Sequence, residues 1–459
     1  MAALPLDIAP SATWPERAYR ALHDELHARP ALAVRRPCVV SSWAQWGMSA
    51  AAADDALARV CAACDVLPPP ADARDHRLRA GDFDLKFERH GEFVSWQVAR
   101  PLPDDPEADA GDERLSHLLH HARALDALPP EFAATLRAAE AGHMLAATHL
   151  VILAGRDERL LARAQALLSR RRDGTVGLDD SSPSIGSWIA DGRAAVLTDL
   201  RLGDDGFTRL ALLDFGLPPD QCAREAQRLC ELEAYRMLAM LGFPVAQQEA
   251  QALAEIERRL QDTVDRMTDP DPADDAQAFD TLTRLAAEVE HAAARTRYRF
   301  SATRAYHQIV QRRLADLRET RLGGMQTLSG FLGRRFAPAM ALCESTDARI
   351  ADLATRISRA VALAQVRIEM RRETSNQQLL GALAHRQKLQ LRLQQTVEGL
   401  SVVAISYYAL GLVGLVAKAA KPALPAEVSP DLVVGAAVLP VVLGVAGFMR
   451  RLRRHLGHD

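Results

Sequence analysis

Lysine is nearly missing from this chain. Of 56 basic residues in 459, only Lys86, Lys388, Lys418 and Lys421 are lysine, and 59 acidic residues bring the formal net charge to −3. So even a balance provides no electrostatic footprint for nucleic acid. Cysteine is scarce as well, and six in this length exclude a disulfide scaffold. No G-x-x-x-x-G-K-[ST] or G-x-G-x-x-G occurs, which removes the usual phosphate-cradling loops, and no G-x-S-x-G nucleophile elbow occurs. The first residues, MAALPLDIAP, have neither a basic nor an apolar stretch and do not read as a signal peptide. Against these absences, 48% hydrophobic content suffices for a buried core. The length allows two or three domains at roughly 150 residues each.

Long uncharged runs lie near the carboxyl end. Residues 399–417 read GLSVVAISYYALGLVGLVA and residues 432–449 read LVVGAAVLPVVLGVAGFM. At about 1.5 Å per residue each crosses roughly 30 Å of hydrocarbon as a helix. The connection, 418–431, holds Pro422, Pro425 and Pro430 and predicts a short turn between two spans. Arg386, Lys388 and Arg392 precede the first run, and Arg450, Arg451, Arg453 and Arg454 follow the second. The positive-inside rule then places both termini in the cytoplasm of a bacterial inner membrane, with the basic residues at the lipid surface.

Upstream, residues 1–216 predict a mixed α/β domain. Strands are expected over 38–46, 83–88, 92–99, 149–154, 185–190, 194–200 and 207–214, and helices over 17–28, 49–64, 114–128, 131–141 and 158–171. His90-Gly91 and Asp191-Gly192 mark hairpin turns. From Pro218 onward the pattern is helical, with long helices over 218–241, 246–267 and 276–322 and a last one from 325 kinked near Pro338. Ile350, Leu353, Ile357, Val361, Ala364 and Ile368 step by three and four as a coiled-coil-like seam. Leu379, Leu383, Leu389, Leu393 and Val397 resume the apolar stripe and lead into the first span without a helix breaker other than Gly381 and Gly399.

The stretches ELHARP (25–30), FERHGEFVSW (87–96), QRLCELEAYRMLAMLGFPVA (227–246), RRFAPAM (334–340) and KLQLRLQQTVEGLSVVAISYYALGLVGLVAK (388–418) resemble the domain-of-unknown-function-3422 family of bacterial, predicted membrane-anchored proteins. The resemblance covers nearly the whole chain. It supports the architecture and carries no activity with it. The layout alone also resembles CorA-type magnesium channels, but their Gly-Met-Asn signature after the first span is replaced here by LVGLVAKAAK.

Candidate sites are few. His23 and His27 stand at i and i+4, a metal-ligand spacing, but Asp24 takes the place of the zincin glutamate and no third ligand follows. Cys61 and Cys64 form a lone C-x-x-C inside an Ala-rich helix and read as packing residues. His117, His120 and His121 read as a solvated helix face. Glu231, Glu233 and Arg236 predict an ion-pair network on the first long helix, and the arginines between 295 and 321 predict pairing with acidic neighbours. Within the spans, Ser401, Ser406, Tyr407 and Tyr408 are the polar side chains. Gly411, Gly414, Gly444 and Gly447 allow close helix packing, and Pro440 sits inside the second span.

The expected protein is therefore an α+β cytoplasmic domain (1–216), a stalk of long antiparallel, coiled-coil-like helices (217–398), a two-helix transmembrane hairpin (399–449) and a basic tail (450–459). Its expected function is a non-enzymatic, self-associating membrane scaffold. Expected partners are the lipid bilayer, a second copy of the chain and a cytoplasmic protein, with no nucleic acid and no cofactor. The alternative is an oligomeric CorA-like cation channel or transporter.

Overall fold

The structure is a computed structural model that describes His23 and residues 30–102, 112–130, 142–155, 158–168, 185–268, 272–419 and 429–456. The chain forms two compact units, one from Met1–Asp265 with Thr281–Arg359, the other from Arg266–Asp280 with Ala360–Asp459.

The first unit is built on a nine-stranded sheet. In chain order its strands are β1 (Cys38–Trp46), β2 (Asp75–Ala80), β3 (Phe83–Arg89), β4 (Phe93–Pro101), β5 (His143–Ala154), β6 (Ile185–Ile189), β7 (Ala194–Thr198), β8 (Thr208–Asp214) and β9 (Thr320–Arg321). They lie in the order β2-β3-β4-β1-β5-β8-β7-β6-β9, antiparallel except for the parallel β5–β8 pair. Both faces are covered, so most strands are apolar on both sides. On one face Trp43, Leu85, Phe87, Val94, Trp96, Val98 and Val151 meet helices α1 (Ala50–Ala63), α2 (Asp112–His121) and α3 (Glu158–Leu168). Trp96 stacks with Trp43 at 6.2 Å, and its indole N–H donates to Gln45 at 3.0 Å, so the ring is buried without an orphaned donor. On the other face Val40, Leu150, Ile152, Val196 and Leu212 meet α4 (Pro219–Met240) and Val310 of α6 (Pro272–Asp316). Leu328 and Leu332 of α7 (Leu328–Arg335) belong to the same core.

Three sequence expectations change here. Residues 114–128 are not one helix: α2 ends at His121 and a separate 3-10 turn covers Ala124–Ala127. Gly242 does not end the first long helix in a loop. It opens α5 (Gly242–Arg266) directly after Leu241. The third long helix stops at Asp316, because residues 320–321 return to the sheet as β9 beside β6. Strand β2 was not expected at all. Only Leu78 of DHRLRA is buried, so an edge strand of this kind has almost no alternation to read. The expected helix over 131–141 lies outside the described residues, as does nearly all of that over 17–28.

The close α4–α5 junction rests on the missing side chain of Gly242. A Cβ there would overlap Thr303 Oγ1, which is buried and donates to Ala239 O at 3.2 Å. Gly242→Ala is expected to cost roughly 1–3 kcal/mol by overpacking. The double variant Gly242→Ala/Thr303→Ala removes the clash, so its denaturant midpoint should recover toward that of Thr303→Ala alone.

Helix α8 (Ala337–Ala419) continues as one helix through the first apolar run, and α9 (Pro430–Leu456) contains the second; the second unit holds α8 from Ala360 onward and α9. Asp275, 3% exposed, is held between Arg371 at 3.1 Å and Arg367 at 3.6 Å. Among the described residues two helices are long and apolar enough to cross a membrane, and their most apolar windows are 11% and 0% buried.

Candidate functional site

The sheet register builds a polar cleft. Ser42 on β1 faces Gln97 on β4, which faces Lys86 on β3; in the next row Ala44, Ser95 and Glu88 are aligned in the same way. Alternation along each strand sends these side chains to one face, while Trp43, Trp96 and Phe87 go to the other. The polar face of the β3–β4 hairpin, which alternation alone assigns to solvent, is thus a floor. Lys86 is 1%, Glu88 4% and Gln97 5% exposed.

The roof comes from α4, whose Gln227, Cys230, Glu231, Ala234 and Tyr235 follow helical spacing on one face. Together with His90, Phe93 and Arg313 of α6 they enclose a cleft of about 260 Å³. Gln227 donates to Glu231 at 2.6 Å, and Arg313 Nε lies 2.6 Å from the other oxygen of Glu231. At the floor Lys86 Nζ is 3.1 Å from Glu88 Oε1. Burial pushes the Lys86 ammonium down from the usual lysine range, and Glu88 opposes that shift. Burial pushes the Cys230 thiol up to about 12, so it stays protonated and is no nucleophile at neutral pH. The lining holds the carboxylates of Glu88 and Glu231 and the guanidinium of Arg313, and the Lys86 ammonium, buried behind the floor, balances Glu88. Its wall is apolar on one side, where Phe93 stacks on His90 at 4.0 Å and meets Tyr235 edge-on at 6.0 Å.

A second constellation has the residue types of a serine hydrolase. Ser41 Oγ lies 2.7 Å from His149 Nδ1, and His149 Nε2 lies 3.6 Å from Asp205. Burial, helped by Arg209, lowers the His149 pKa to about 3, so the ring is a poor base. Ser41 and His149 are fully buried, and Ser41 Oγ also accepts from Ala124 N at 3.0 Å. A nucleophile needs access to a substrate carbonyl; this hydroxyl instead ties the 3-10 turn to the sheet.

Apart from Glu231, the candidate site residues singled out from sequence fall elsewhere. His23 is exposed and His27 lies outside the described residues. Cys61 is buried in α1 and Cys64 half-buried at its end. His117 and His121 place their rings 5.4 Å apart on α2, while His120 reaches Leu167 O at 3.2 Å. Among the described residues no three His, Cys, Asp or Glu side chains converge as a metal site would require. Glu233 pairs with Arg236 at 2.8 Å, but Glu231 belongs to the cleft. Four of the α6 arginines meet acidic partners: Arg295 with Glu249, Arg299 with Glu92, Arg304 with Asp347 and Arg313 with Glu231. In the apolar helices Ser401 donates to Val397 O at 2.8 Å, Ser406 is buried, and Tyr407 and Tyr408 are exposed. A Cβ on Gly414 would stand 3.4 Å from Val434 on α9, whereas Gly411, Gly444 and Gly447 face open space. Pro440 is exposed inside α9, and Arg386, Lys388, Arg392, Arg450 and Arg451 are exposed. The side chains of Arg453 and Arg454 lie outside the described residues.

The family model described as a protein of unknown function, DUF3422, matches residues 13–456. No curated protein and no solved structure matches the chain.

Proposed function

We propose, on the premise that the chain belongs to the DUF3422 family, that it is a non-enzymatic protein of the bacterial inner membrane. Two apolar helices hold it there as a hairpin, and it self-associates and presents its α/β unit to a cytoplasmic protein partner. The exposure of those helices carries the reading. Leu400, Val403, Ile405, Tyr407, Tyr408, Leu412, Leu415 and Val416 are each 46–75% exposed on α8. At about 1.5–3 kcal/mol for each large side chain fully withdrawn from water, partial exposure of eight still leaves a cost on the order of 10 kcal/mol. That rivals the whole net stability of a domain, and lipid removes it. The nearness of Gly414 to Val434 supports the hairpin. Leu379, Leu380, Leu383, Leu389, Leu393 and Val397, 52–71% exposed, support self-association along α8 before the span.

The chain should stay in the membrane pellet through an alkaline carbonate wash, and a variant lacking residues 399–449 should be released. Release of the intact chain would overturn the anchor. A Ser429→Cys variant should react with an impermeant maleimide in whole cells; protection until the membrane is opened would invert the topology. Divalent-cation flux through liposomes carrying the purified chain would replace the scaffold with the CorA-like alternative.

A further inference from the structure

We propose that the cleft between the β1–β4–β3 face and α4 is a binding site for an uncharged, polyhydroxylated small molecule of monosaccharide size. Three observations carry this beyond the anchoring role. The first is construction: on the sheet face that packs under α4, mostly through apolar residues such as Val40, Leu150, Ile152, Val196 and Leu212, the positions Ser42, Lys86, Glu88, Ser95 and Gln97 form a polar patch, and α4 covers it rather than leaving it to water. Burying polar groups costs stability unless they are satisfied, and in clefts the satisfying partner is regularly a ligand or ordered water.

The second is charge. Glu88 has Lys86 at 3.1 Å and Glu231 has Arg313 at 2.6 Å, so neither carboxylate is left to attract a cation and neither base to attract an anion. A charged ligand would have to displace an existing ion pair. What such pairs offer instead is strong, directional hydrogen bonding to hydroxyls, beside the uncharged Ser42, Ser95, Gln97 and Gln227. Phe93 and Tyr235 add an apolar wall of the kind that packs against the C–H face of a sugar ring.

The third is size. About 260 Å³ corresponds to eight or nine waters at roughly 30 Å³ each, a molecule of about a dozen heavy atoms. It falls just below the range of drug-sized pockets, which begins at about 300 Å³.

The test is calorimetric titration of the full chain in lipid nanodiscs, because glycoside detergents are themselves of the ligand class. The probes are D-glucose, D-galactose, D-ribose and myo-inositol, with glycine betaine, L-glutamine and inorganic phosphate as the charged arm. At least one polyol should bind saturably. Ala234→Leu, which fills the cleft from the roof, should abolish that binding, and Gln227→Ala should weaken it about tenfold. Circular dichroism and the thermal midpoint of each ligand-free variant establish that it is folded. Binding confined to the charged arm overturns the ligand class. Binding of no probe overturns the site, as does polyol binding that both folded variants leave unchanged.

Discussion

Glu88→Ala is expected to destabilise the α/β unit by about 3–5 kcal/mol, far more than a surface carboxylate would. Glu88 is 4% exposed and stands 3.1 Å from Lys86, which is 1% exposed. Removing the carboxylate leaves the ammonium in a poorly solvated place. It must then stay charged without its partner or lose its proton, and burial already pushes it in that second direction. The expected signature is the contrast between single and double variants. Lys86→Met/Glu88→Leu deletes both charges and keeps the volume, so it should cost less than Glu88→Ala. Urea midpoints followed by tryptophan fluorescence measure both. Equal losses for the two variants would mean that water in the cleft already solvates the pair.

The second large effect is acid lability centred on His149. Its folded-state pKa, about 3, lies well below the ordinary histidine value. Burial is the main cause; Arg209 and Arg123 push the same way and Asp205 against it. The unfolded chain therefore binds a proton near pH 6.5 that the folded chain refuses. Stability is fully present above about pH 6.5 and falls as the pH drops toward the folded value. The slope approaches about 1.4 kcal/mol per pH unit, so between about pH 6 and 4 roughly 2–3 kcal/mol disappears. Asp205 works at lower pH. Its carboxyl is depressed despite burial, chiefly by Arg209, so its own contribution fades only as pH falls below the ordinary aspartate range. His76, also lowered by burial, adds a slope of the same sign. Comparison with His149→Gln isolates the one residue: the variant should lose about one proton's worth of slope while keeping a side chain that can bond Ser41. An unchanged slope would show that the ring is protonated in the folded protein.

How much of this was legible in the sequence differs by element. Strand β1 is legible over its full bounds, because CVVSSWAQW is flanked by a proline and a glycine and is rich in β-formers. The β6–β7 turn was legible at Asp191-Gly192, which adopt φ of 59° and 81°. The pairing of Arg295, Arg299, Arg304 and Arg313 with acids is likewise readable from charge balance. The cleft was not. Lys86, Glu88, Ser95 and Gln97 alternate with apolar residues as the solvent side of any hairpin does, and no local rule says that a helix some 130 residues later will cover them. The faint signal was on that helix, where Gln227, Glu231 and Tyr235 interrupt the face that would otherwise be apolar. The Ser41–His149–Asp205 contact was invisible for a different reason. Its members come from three separate places in the chain, and strand register alone brings Ser41 opposite His149.

The late return of β9 has a practical consequence for anyone trimming this protein. Thr320 and Arg321 pair with the outer strand β6, Gln326 bridges Ile185, and the Glu319 carboxylate accepts from the backbone N–H of Ser329 at 3.0 Å. A fragment that stops with the strands, at the tempting break after Gly216, strips β6 of its outer neighbour β9 and bares the underside formed by Leu210 and Leu212. Naked strand borders recruit one another, so that fragment should precipitate, while one carried past Arg335 keeps its rim sealed.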